Sequence, residues 1–147
     1  MKHLRMVTVV FATALGLAGF YSNQASTKEP HKHGEHFEKC AKACADCQVA
    51  CDSCFHHCAG LVAQGKKEHA KTMHSCVDCA AFCELAGRLS ARHSAYAVRA
   101  CDGCAKTCDD CAKECEKFPD DKHMKDCAKS CRDCAKACRT MIEHVKH

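Results

Sequence analysis

The chain has no tryptophan, two tyrosines and only two prolines in 147 residues. Leucine, isoleucine, valine and phenylalanine are sparse after residue 30, which excludes an ordinary bundle interior filled by large aliphatic side chains. No apolar run after the first thirty residues is long enough to span a bilayer. Charge of one sign is also lacking. The formal net charge is +4, and Lys2 and Arg5 supply two of those charges, so the rest is too balanced to favour nucleic-acid binding. No small set of distinct acid, base and nucleophile stands out, as a catalytic cleft needs. The compact C-x2-C-x2-C-x3-C-P run of bacterial ferredoxins is missing too.

What the chain does have is cysteine, 18 residues of it. Cys40, Cys44, Cys47, Cys51, Cys54 and Cys58 are separated by gaps of four, three, four, three and four. That is a heptad seam: on a helix these thiols stack in one stripe, where a bundle normally places leucine. The ladder recurs at Cys101, Cys104, Cys108, Cys111 and Cys115, and again at Cys127, Cys131, Cys134 and Cys138. A shorter version is Cys76, Cys79 and Cys83. Every cysteine belongs to one of these four runs, so cysteine, a small and usually buried residue, must fill much of the core.

Each run predicts one helix. Helix A is expected from about Glu35 to Gln64 with Gly65 as its stop, and helix B over Lys66 to Leu89. Ser94 is the expected cap of the third helix, which ends by Pro119, and Asp120 or Asp121 that of the fourth. Short connections between long helices imply antiparallel neighbours. The expected fold is therefore all-α, an up-down-up-down four-helix bundle with cysteines lining the core. Asp46, Asp52, Asp102, Asp109 and Asp133 fall between cysteines, at positions such a bundle exposes.

Residues 1–26 read as an export signal, with Lys2 and Arg5 before the apolar run Val7 to Phe20. The expected location is then outside the cytoplasm, periplasmic or extracellular, with no membrane attachment once the signal is removed. Residues 27–36 read as a His-rich tail carrying His31, His33 and His36, either a metal-catching arm or a solvated linker. The bundle is expected over residues 37–147.

Three uses of the ladders compete. A disulfide-stapled structural protein suits an exported chain with an even cysteine count. Bridges along one stripe, however, would link residues the helix already holds together. Zinc–thiolate clusters remain open, although zinc wants four sulfurs converging tetrahedrally. Cu(I) is the third reading. It is soft, prefers thiolate and accepts two or three sulfurs, and one Cu(I) per thiolate leaves the core neutral.

The run Cys108-Asp109-Asp110-Cys111-Ala112-Lys113-Glu114-Cys115-Glu116-Lys117-Phe118-Pro119, followed by C-x3-C-x2-C-x3-C from Cys127 to Cys138, resembles the bacterial copper storage proteins. The Cys54-x3-Cys58 pair with His57 beside it extends the likeness. The resemblance implies a homotetramer of bundles, each filled with many Cu(I) ions. It also implies a role in storing or sequestering copper, with copper donor or acceptor proteins as partners and no enzymatic activity. The count of 18 cysteines resembles the larger cytosolic members. Family members gather His and Met at one open end. The antiparallel order places His57, His69, Met73, His123 and Met124 together there, as candidate entry ligands beside Leu61 and Phe118. The opposite end is expected to be a mainly apolar plug of Phe37, Ala97, Met141 and Val145.

Overall fold

A computed structural model describes residues 32–145. It contains four long helices: α1 (Lys32–Ala63), α2 (Ala70–Ala91), α3 (Ala97–Cys115) and α4 (Lys122–Val145). A single 3-10 turn, Lys67–His69, leads into α2. Each helix packs on two others, α1 and α3 both lying against α2 and α4. The antiparallel order shows in which sulfurs meet. Cys40, near the start of α1, lies 3.7 Å from Cys138 near the end of α4, whereas Cys54 meets Met124 at the start of α4.

The helix ends follow from local chemistry. Gly65 adopts φ 89°, and the bonds Gly65 N–H to Val62 O and Lys66 N–H to Leu61 O close α1 in a Schellman motif. Glycine suits that left-handed position because it has no Cβ. The end of α2 uses the same two bonds, His93 to Ser90 and Ser94 to Leu89, with His93 at φ 49° in place of glycine. Asp121 caps α4, its Oδ1 accepting the Met124 N–H at 3.2 Å. Ser94 does not cap α3 directly, because its hydroxyl accepts the Tyr96 N–H in the turn before it. Helix α1 begins three residues earlier than expected, and the expected first turn of helix B is the 3-10 turn.

The core is sulfur. All eighteen cysteines are at most 1% exposed, and Met124 and Met141 are fully buried. Small residues, among them Ala86, Ala105, Ala112 and Ala135, fill the flanks between ladders. Alanine there lets the helices approach and costs no side-chain entropy. Gly87 marks a close approach of α2 to α1: a Cβ in its place would lie 3.2 Å from Cys44 Cβ.

The outer faces carry charge, as expected. Lys42–Asp46, Lys106–Asp102 and Lys129–Asp133 are exposed i,i+4 pairs at 2.7–2.8 Å. Such pairs are each worth only about 0.3–0.5 kcal/mol. Asp109 departs from the expected exposure: it is half-buried, because it accepts from both Arg132 and Arg139 and so ties α3 to α4. The Arg139 and Arg132 guanidiniums hold its carboxyl below the usual carboxylate range.

Candidate metal centre

Each ladder aims one thiol per half-heptad at the bundle axis, so four helices build layers of facing sulfurs. Neighbouring Sγ atoms lie 3.6–4.0 Å apart, for example Cys79 to Cys108 at 3.6 Å, Cys47 to Cys131 at 3.7 Å and Cys104 to Cys134 at 3.9 Å. This is sulfur–sulfur contact and not a bond of about 2.05 Å; all eighteen cysteines are free. With metal–sulfur bonds of about 2.3 Å, a trigonal ion needs its sulfurs about 4.0 Å apart and a linear one about 4.6 Å. The core is thus set close to trigonal spacing, and loading requires shifts of a few tenths of an ångström.

Sets of four thiols lie with all their sulfurs within 4.8 Å of one another. They include Cys44, Cys104, Cys134, Cys138; Cys47, Cys83, Cys108, Cys134; Cys51, Cys111, Cys127, Cys131; and Cys54, Cys76, Cys115, Cys127. Cys127 and Cys134 each belong to two of these. Shared sulfurs make a continuous network along the axis. That arrangement suits bridging thiolates and not a row of separate tetrahedral sites.

Protonation follows the same packing. Hydrogen bonding with Cys108, then with Cys111, Cys127 and Cys47, and finally burial push the Cys131 thiol well above the ordinary range. Cys138 is raised in the same way, first by Cys101 and then by Cys104. Conversely, hydrogen bonding with Cys108, and then with Cys131, draws Cys47 down. A first thiolate is therefore held by its neighbours' protons, while those neighbours resist ionising. A cation that displaces the protons removes the conflict.

The candidate entry residues fall into two groups at one end. His57 Nε2 lies 2.7 Å from Asp121 Oδ2, and its ring stacks on His123 with centroids 4.3 Å apart. Across the end, His69 stacks on Phe118 at 4.1 Å, and its buried Nδ1 has no hydrogen-bond partner. Met124 joins this end to the core, its Sδ accepting the Cys54 S–H at 3.5 Å, while Met73 and Leu61 pack against the core's edge. The role of Asp121 in holding His57 was not foreseen, although its position one residue before α4 was.

The opposite end departs from the expected plug. Phe37, Ala97 and Met141 are buried, but Val145 is 38% exposed. Imidazoles surround the plug: His36 stacks on His144 at 3.6 Å and His93 on Phe37 at 4.8 Å. Beneath them lies Ser90, fully buried and within 3.7 Å of both Cys40 and Cys101.

A four-helix bundle cored by a continuous column of free thiols defines a class of protein that holds soft metal ions in its interior. The model of the copper storage protein family matches residues 23–143, and the chain belongs to that family. Among solved structures it is similar to the Cu(I)-bound copper storage protein BsCsp3, at 34% identity over 73% of this chain and 98% of that one, with a TM-score of 0.67. Apo-Csp3 from Bacillus subtilis matches at 34% identity over 71% of this chain and 97% of that one, with a TM-score of 0.63. A cytosolic copper storage protein from Streptomyces lividans matches at 26% identity over 76% of this chain and 95% of that one, with a TM-score of 0.69. No curated protein matches. The cytosolic relative overturns the expectation of export, in line with the cysteine count. The segment read as a signal, 1–26, and the first half of the tail, residues 27–31, lie outside the described residues. Among the described residues no helix is long and apolar enough to cross a membrane.

Proposed function

We propose that this chain stores or sequesters copper by holding Cu(I) on all eighteen core cysteines at close to one ion per thiolate, without catalysing a reaction. The observation that carries this reading is the sharing of thiols between neighbouring four-sulfur sets. A sulfur that bridges two ions needs only about one Cu(I) per thiolate, and the filled core is then neutral in a place where net charge is heavily penalised.

Zinc fits less well. As separate tetrahedral sites it would occupy sets that share no sulfur, such as Cys44–Cys104–Cys134–Cys138 beside Cys54–Cys76–Cys115–Cys127. Each such quartet keeps a net charge of about 2− in a dry core. Competition tests the choice: with both metals supplied anaerobically, Cu(I) should displace Zn(II) completely. Retention of zinc in the presence of excess Cu(I) would overturn the copper reading.

Entry is through the His57, His69, Met73, His123 and Met124 end. Thioether and imidazole bind Cu(I) more weakly than bridged thiolate, so an ion caught there passes inward downhill, by way of Met124 and Cys54. The family resemblance supports a homotetramer, exchange with copper donor or acceptor proteins, and a role in copper homeostasis. Sedimentation at micromolar concentration tests the assembly.

A further inference from the structure

The thiol ladder of α2 stops short of the others. Cys76, Cys79 and Cys83 have gaps of three and four, and the same rhythm continues to Ala86 and Ser90. Both are fully buried in the core, where the other helices still supply cysteine. In the last layer before Phe37 and Met141, α1 contributes Cys40, α3 Cys101, α4 Cys138, and α2 the hydroxyl of Ser90.

The geometry of this layer is close. Cys40 Sγ lies 3.6 Å from Cys101 Sγ and 3.7 Å from Cys138 Sγ. Ser90 Oγ donates to Cys40 Sγ at 3.7 Å and lies 3.4 Å from Cys101 Sγ. A hydroxyl inside a helix ordinarily bonds to the carbonyl four residues back, as Thr107 does to Gly103 O at 3.0 Å. Ser90 is turned toward sulfur instead. Gly87, one turn earlier on α2, admits the close approach of α1 that brings Cys40 within its reach.

Oxygen of a neutral hydroxyl is a hard donor and a poor ligand for Cu(I), whereas its O–H is a good donor to a thiolate. We infer that Cys40, Cys101 and Cys138 form a terminal three-thiolate Cu(I) site, and that Ser90 is its positioning residue, binding the thiolates by hydrogen bond and not the metal. The layer has three sulfurs where a full layer has four. Its thiolates face bound ions on one side only, and the O–H donates to the sulfur at the end of the column where no further layer of ions lies. The sulfurs keep the near-trigonal spacing in which the apo core holds them.

The inference rests on the storage reading, and the test separates the two. Wild-type protein, Ser90→Ala and Ser90→Cys are titrated anaerobically with Cu(I) against a competing chelator, with circular dichroism recorded on each. Ser90→Ala removes one oxygen and no packing carbon, so helicity should be unchanged. One ion per chain, that of the terminal layer, should be held about tenfold more weakly, the order expected for a lost hydrogen bond to a charged group. Ser90→Cys supplies the missing thiol and should raise saturation by one ion per chain. An Ala variant whose competition curve overlays that of wild type, or a Cys variant with unchanged capacity, would overturn the role of Ser90 while storage stands. Failure of the wild-type protein to fill would overturn storage itself.

Discussion

Raising the pH should unfold the copper-free protein and leave the copper-loaded protein folded. In the apo core Cys101 gains from the S–H bond of Cys138, but its bond with Cys40 and its burial outweigh that and push its thiol from 9.0 up to about 12. A folded-state value above the unfolded one means that the protonated thiol contributes stability in full below about pH 9. That contribution is lost as the pH rises toward 12. The size of the effect follows from the sulfur spacing. Two thiolates at the observed contact of 3.6–4.0 Å repel by about 4 kcal/mol at the effective dielectric of a protein interior. A domain of this size is stable by about 5–15 kcal/mol, so two to four such contacts are enough to unfold it. Reduced apo protein titrated anaerobically from pH 7 to 12, followed by thiolate absorbance and far-ultraviolet circular dichroism, should ionise over a range far wider than that of independent thiols, and should lose its helices as the raised members such as Cys101 ionise. Thiols that titrate independently near 9 in a protein that stays helical would refute the reasoning. In the loaded protein each thiolate is already balanced by a cation, so the transition should vanish.

Other expectations follow from the same geometry. Reduced apo protein at neutral pH should already be strongly helical, because buried neutral thiols behave as small hydrophobes; a coil-like circular dichroism spectrum would contradict this. Met124→Ala and Met141→Ala each empty a fully buried site and should cost about 2–5 kcal/mol in denaturant titrations of the apo protein. Replacing His57, Met73 and Met124 together should slow Cu(I) uptake in stopped-flow loading with capacity almost unchanged, whereas Met141→Ala should leave the rate as it is. Unchanged rates in the triple variant would rule out entry at that end.

The ladders made most of the architecture legible from sequence. Thiols at alternating gaps of three and four can share a face only on helices, and four such faces can be buried only against one another. The caps at Gly65 and Asp121 were legible for a similar reason, since each rests on a single residue's chemistry. The losses lie where several elements decide together. Val145 continues the register of α4 beyond Met141, yet it sits in the last turn and remains partly exposed. The stacking of His36 on His144 and of His93 on Phe37 joins residues far apart in sequence, and no periodicity announces it. Ser90 continues the rhythm of Cys76, Cys79 and Cys83 one residue past the expected end of helix B, but its role depends on Cys40 and Cys101 arriving from two other helices. The location was misread because a short apolar run after two basic residues outweighed a cysteine count resembling that of cytosolic relatives.

The central claim is that the whole sulfur column is one copper store. It is tested most directly by anaerobic titration of the reduced protein with Cu(I) against a competing chelator, with free thiols and released protons counted in parallel. The account predicts saturation at close to one Cu(I) for each of the 18 cysteines, with one proton released per thiol as the core fills. Saturation after only a few ions, with most thiols still free to react, would contradict it.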